Sequence, residues 1–373
     1  MTTSFQAGDR RRGRAPRVAL AVLAGLALTA GALYFTGVYD GWADDTGAPD
    51  QLCGGLVERD DADLRRLLGA RELSPADVVT DRTSDEPRAC AFRPRSEAAG
   101  TRFGDLDVTV SRDAGSKELL LALRRRQSDS MTATVSPVGN GWRGVLNTDP
   151  GSSHAAVVML CEGERPSDLT VNLTGRPAGY DSRLPTEEQR TRLARLTTRI
   201  AVRAAQQAGC EAPRGETIHS VADPMPSPVD DPKTRAVPAG EATGTCEGVA
   251  APTTGTEADP LAPIEDCLII GTAGKPVFRL AAYYGPYVQE GHVATEGRGD
   301  RGTFTGPAGG TDGLFWASAT CAAQGGPAFF TSETLATGDG HTSPDPALQQ
   351  SALRRFAERS AKDHGCEAPV FGE

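Results

Sequence analysis

Gly209-Cys210-Glu211-Ala212-Pro213 recurs as Gly365-Cys366-Glu367-Ala368-Pro369, and each copy follows a stretch with the apolar spacing of an amphipathic helix. With the copies superposed, Arg199 falls on Arg355, Ala201 on Ala357, Arg203 on Arg359 and Ala205 on Ala361. A match held over one offset marks a tandem repeat. The openings correspond as well, Cys53-Gly54-Gly55-Leu56-Val57 with Cys246-Glu247-Gly248-Val249-Ala250. The expected fold is therefore α+β: repeats at 51–213 and 246–373, each a twisted antiparallel sheet with helices on one face and two disulfides. Between them, 214–245 is rich in proline and lacks an apolar period, which predicts a linker of variable reach.

Working outward from the closing pentapeptides, Pro185-Thr186 with Gln189 predicts a capping-box start for the first helix. Leu193, Leu196, Ile200, Ala204 and Ala208 form its apolar stripe, and Gly209 its left-handed stop. Asp345-Pro346 starts the second helix, whose core face includes Leu353, Phe356 and Ala357. Strand alternation is read at 90–92, 106–110 and 169–173, with 155–161 as a buried strand. In the second repeat, strands are read at 267–270, 277–284, 314–321 and 328–331. A helix at 117–127 has no counterpart in the second copy. Asp60 and Asp61 are expected to cap a short helix carrying Leu64, Leu67 and Leu68, ended by Gly69.

Before the repeats, Arg10, Arg11, Arg12, Arg14 and Arg17 face a single acid, Asp9, and 18–38 then holds no charge. Twenty-one helical residues span about 30 Å, the thickness of a hydrocarbon core. The expectation is a cytoplasmic tail at 1–17, a transmembrane helix at 18–38, a tether at 39–50 and an extracytoplasmic remainder. Ala21, Gly25 and Thr29 form a small-residue stripe on which two anchors could pair as a homodimer. The alternative is a secreted chain, cleaved after Ala30-Gly31-Ala32.

Cysteine usage agrees with an oxidising compartment. Cys53, Cys90, Cys161 and Cys210 lie in the first repeat, Cys246, Cys267, Cys321 and Cys366 in the second, and none precedes them. Each set admits three pairings. First with second and third with fourth is favoured, because it ties Cys161 or Cys321 to the end of a closing helix. No C-x-x-C spacing or nearby histidine pair supports zinc.

Net charge is −10, and the basic tail carries compensating arginines, so the remainder is more acidic still. That excludes nucleic acid as an expected partner. Two stretches are candidate ligand contacts. Tyr283, Tyr284 and Tyr287, broken by Gly285-Pro286, would stack on sugar rings or peptides if exposed at a turn, and otherwise belong to the core. Arg124, Arg125 and Arg126, at the end of the 117–127 helix, would meet an anionic envelope polymer or serve as a solvated terminus. Gly297-Arg298-Gly299-Asp300-Arg301-Gly302 matches a dinucleotide pattern, but Thr303-Phe304-Thr305-Gly306-Pro307 comes next and cannot begin the required helix. Ser152-Ser153-His154 sets a hydroxyl beside an imidazole, yet neighbours in a strand point to opposite faces. No catalytic, metal-ligating or cofactor-binding residue is assigned, and no cofactor is expected.

The basic tail, the Ala/Leu-rich span and the repeated Cys-x-Gly openings and Gly-Cys closings resemble uncharacterised actinobacterial membrane-anchored envelope proteins with cysteine-containing extracytoplasmic modules. The resemblance implies a single-pass plasma-membrane protein with its C-terminus outside. The function expected from this layout is non-catalytic binding or scaffolding, with an envelope protein or cell-wall polymer as partner. An extracytoplasmic hydrolase acting on wall glycan or peptide is the alternative, and converging carboxylates or a Ser–His pair within reach would favour it.

Overall fold

Period-two alternation decides how each strand meets its helix. The computed structural model describes residues 51–372 apart from 71, 74–77, 81–87, 95–103, 114, 116–134, 150–151, 163–166, 177, 179–184, 223–235, 273, 290, 292–303, 305, 312, 323–325, 338–339 and 342–344. The predicted tail, anchor and tether, and the 117–127 helix, lie outside the described residues. Among the described residues no helix is long and apolar enough to cross a membrane.

In the first half, β1 (Gln51–Leu52) and β2 (Val57–Glu58) form a small hairpin, followed by α1 (Ala62–Leu68). Asp61 caps α1 by accepting the Leu64 amide at 2.9 Å, and Gly69 ends it at φ +71°. Next come β3 (Val78–Thr80), β4 (Arg88–Phe92), β5 (Asp105–Arg112), β6 (Ser136–Pro137), β7 (Gly144–Asp149), β8 (Ser152–Cys161) and β9 (Ser167–Arg176). They make one antiparallel sheet in the order β3-β4-β5-β9-β8-β7-β6. One face carries Phe92, Val108, Val157, Met159, Val171 and Leu173 against Leu193, Leu196, Ile200 and Ala204 of α2 (Glu187–Gln207). The α2 capping box is formed: Thr186 accepts the Gln189 amide at 3.2 Å, and its own amide donates to the Gln189 side chain at 2.9 Å.

The second half contains β10 (Thr253–Gly255), β11 (Ile264–Ile270), β12 (Pro276–Tyr284), β13 (Gly309–Thr311), β14 (Leu314–Cys321) and β15 (Gly326–Thr334). A hairpin of β16 (Ala336–Thr337) and β17 (Gly340–His341) leads to α3 (Pro346–Asp363), after which β18 (Val370–Phe371) pairs with β14. This sheet is antiparallel too, in the order β10-β11-β12-β15-β14-β13. Matched in chain order, each sheet is two meanders whose last strands lie side by side, β3–β5 with β6–β9 in the first and β10–β12 with β13–β15 in the second. Leu353, Phe356 and Ala357 of α3 pack on the face bearing Phe278, Leu280, Ala282 and Phe330.

Four disulfides close the structure: Cys53–Cys90, Cys161–Cys210, Cys246–Cys267 and Cys321–Cys366. In each half the second bond joins the end of a central strand to the residue just beyond the closing helix. Gly209 and Gly365, at φ +64° and +68°, stop the helices one residue earlier. Only glycine takes that conformation without strain.

The remaining sheet faces meet each other. Val145, Ala156 and Val158 of the first sheet share a cluster with Ile264, Ala281, Tyr283, Leu314, Trp316 and Phe329 of the second. The layers run helix, sheet, sheet, helix. Polar contacts cross the seam: the Val135 amide donates to Asp266 at 2.9 Å, Thr256 donates to the Val135 carbonyl at 3.0 Å, and the Gly115 amide to the Pro286 carbonyl at 3.1 Å. A variable separation of the halves was expected from the Pro-rich 214–245 stretch, and this seam corrects it. Where that stretch is described, it lies along the two bodies. Ile218 and Val221 are buried in the first core, Trp142 donates to the Glu216 carbonyl at 2.7 Å, and Val237 bridges Thr253. Burial of apolar side chains outweighs the extended preference of the prolines.

Candidate functional site

Burial corrects the tyrosine reading first. Tyr283, Tyr284 and Tyr287 are 3%, 1% and 0% exposed, so none presents a face to a ligand. Tyr283 and Tyr287 fill the seam between the sheets, whereas Tyr284 points to the α3 side. Its hydroxyl lies 2.6 Å from that of Ser360, and its ring stacks on His364 with centroids 3.9 Å apart. Successive tyrosines on a strand buried on both faces fall into two cores. Arg124, Arg125 and Arg126 lie outside the described residues, as does the 297–302 glycine loop. All eight cysteines are in disulfides, and among the described residues no cluster of His, Cys, Asp and Glu could hold a metal ion.

Beneath α3 a buried carboxylate, Glu265, gathers partners from the helix. Arg359 holds Glu265 with two hydrogen bonds of 3.2 and 2.9 Å, and Ser360 donates to the same carboxylate at 2.6 Å. Burial opposes the charge on Arg359, but Glu265 and Asp363 outweigh it and raise its pKa. Arg203, which aligns with Arg359, reaches instead to Glu58, while Arg199 binds Asp61 and Asp63. These arginines fasten the outer helices to their bodies. In the seam, Arg279 donates to Asp266 at 3.1 Å; burial works against its charge, and Tyr283, Asp266 and Glu333 together hold it in place.

Two places remain open to chemistry. The first is a groove of about 530 Å³ between α3 and the β13–β14 edge of the second sheet. Gly310, Phe315, Leu353, Arg354, Arg355 and Phe371 line it. Arg354 lies over the Phe371 ring at 4.2 Å. Gly310 makes the opening, since a Cβ there would come within 2.3 Å of the Phe315 ring. An aromatic floor beside two exposed arginines suits an amphiphilic anion.

The second place lies on the seam-side face of the first sheet, beyond the apolar cluster. Ser152 and His154 are two residues apart on β8 and so share a face, and the Ser152 hydroxyl lies 3.2 Å from His154 Nε2. On the other side of the ring, Nδ1 is 3.0 Å from the hydroxyl of Thr174, directly across on β9. Asn172 Nδ2 donates to that hydroxyl at 3.0 Å. His154 is 5% exposed, whereas Ser152 is only partly covered. The expectation that Ser153 and His154 face apart is met, but Ser152 is the hydroxyl that shares the face. The signal missed was an i, i+2 pair in a strand.

A third cluster surrounds Asp168. Its amide and carbonyl bond Asp113 at 2.8 Å each. Burial and the Asp113 charge raise the Asp168 pKa against the pull of Arg143. Searches of protein-family models and of curated proteins find no match to this chain.

Proposed function

We propose that this chain is a binding or scaffolding protein of the cell envelope, anchored by 18–38 with its tail inside and both halves outside, and that the halves are copies of one unit. The common strand order and equivalent disulfide positions support duplication. Four disulfides support an oxidising compartment. The observation that carries binding is the α3 groove, where Arg354 and Arg355 stand beside apolar rings. Its ligand is an anionic segment of an envelope protein or polymer.

A photo-crosslinking residue at Ser351, on the exposed rim of the groove, tests this in intact cells against the same residue at exposed Gln206 on α2. A discrete adduct at Ser351 alone is the expected result. Equal patterns at both positions would reject the groove. The anchor has its own test, since a mature N-terminus at Leu33 would replace it with secretion.

A second reading, an extracytoplasmic hydrolase, is favoured by the Ser152–His154 pair.

A further inference from the structure

We infer that Ser152 is an acyl-accepting nucleophile with His154 as its general base, acting on carboxylic esters. The inference deepens the hydrolytic reading and rests on it. With the ring proton on Nδ1, His154 donates to Thr174, and Nε2 is left to receive the Ser152 proton across 3.2 Å. The base is enclosed by the sheet and held from both sides, while the nucleophile is reachable. A second observation points to a ligand on the same face. Asn172 Oδ1, on a residue 2% exposed and one same-face cross-strand pair along from His154, has no hydrogen-bond partner. Asn172 alternates with the apolar Val171 and so projects from the side that carries His154.

The residue types select the reaction. Glycosidic cleavage in most enzymes uses two carboxylates, whereas a serine with a histidine base transfers acyl groups. The group that orients His154 through Nδ1 is the neutral hydroxyl of Thr174, and the carboxylate opposite Thr174 in register, Asp107, is engaged by Arg93. An imidazolium oriented by a hydroxyl is less stabilised than one oriented by a carboxylate, which suits an ester, with its better leaving group, over an amide. Ser152 Oγ bonds to the ester carbonyl carbon as its proton passes to Nε2. The carbon–oxygen bond to the alcohol breaks, and the alcohol departs with that proton. Water then repeats the sequence on the acyl-serine, releasing the acid and restoring Ser152.

The test uses the full chain in membranes, a biotinylated fluorophosphonate, and peptide mass spectrometry to locate the label. Label is expected on Ser152 and not on Ser153, absent in Ser152→Ala, and slowed roughly 100-fold or more in His154→Gln. An unlabelled Ser152 in the wild type overturns the nucleophile, and an unchanged rate in a folded His154→Gln overturns the base. Thr174→Val tests the positioning role through the pH profile of labelling, which should shift; an unmoved profile removes that role. Should His154→Gln fail to fold, hydrolysis of p-nitrophenyl acetate by Ser152→Ala decides: loss supports the assignment and retention overturns it. Ester hydrolysis without label on Ser152 would leave the hydrolytic reading standing and remove only this serine, whereas absence of both removes both.

Discussion

The Asp266 carboxylate in the second sheet accepts the amide of Val135, which precedes it by 131 residues, at 2.9 Å. The same carboxylate, fully buried, receives Arg279 at 3.1 Å. The charge pair thus stabilises the seam as well as its own sheet. Asp266→Ala leaves Arg279 buried without its partner and should cost about 3 to 5 kcal/mol. Urea titration followed by tryptophan fluorescence, with Trp142 in one half and Trp316 in the other, is expected to show one shared transition in the wild type. The variant should show it earlier or split in two; an unmoved midpoint would remove the pair from the seam's stability.

The Cys321–Cys366 bond closes a separation of 45 residues at the end of α3. Chain entropy alone assigns it about 4 kcal/mol. The double variant Cys321→Ala/Cys366→Ala should lower the denaturation midpoint accordingly, with greater hydrogen exchange in the last turn of α3 than in α2. Uniform exchange across both helices would show that the bond does not act locally.

Asp168 gives a pH dependence of definite sign. Burial and Asp113 raise its pKa in the folded chain, so the native state holds the proton more tightly than the unfolded state. The associated stability is present below the ordinary carboxylate range and is lost as pH climbs through the raised native value. Asp168→Asn should therefore match the wild type in acid and melt at a higher temperature at neutral pH. Melting curves at several pH values check this, and a variant less stable at neutral pH would reverse the assignment.

At the groove, Gly310→Ala places a Cβ where the Phe315 ring now lies. Overpacking should cost about 1 to 3 kcal/mol and abolish the Ser351 adduct. An adduct retained at full yield would place the ligand elsewhere.

Much of each half was legible because its signals are local. The caps at Asp61, Thr186 and Asp345 and the stops at Gly69, Gly209 and Gly365 all act over short spans of chain, and each cysteine pairs with its neighbour in chain order. The seam was not legible, although 155–161 is apolar on successive residues and so requires cover on both faces. Nothing near it in sequence says that the second cover is Ile264, Tyr283 and Phe329. The tyrosines stayed undecided between ligand contact and core for the same reason: Gly285-Pro286 marks a turn correctly, but the layer that covers Tyr283 and Tyr287 comes from the other half. The Ser152–His154 pair was present in the sequence and passed over for its nearer neighbour, Ser153.

Each disulfide joins a cysteine to the next one along the chain, and none crosses the seam. If the two halves emerge in chain order, an oxidase that couples thiols in their order of emergence would make native pairs alone. The first half could complete its covalent closure before Cys246 leaves the export channel. Formed in that order, the four bonds would need no shuffling, and docking of the two sheets would remain a non-covalent step.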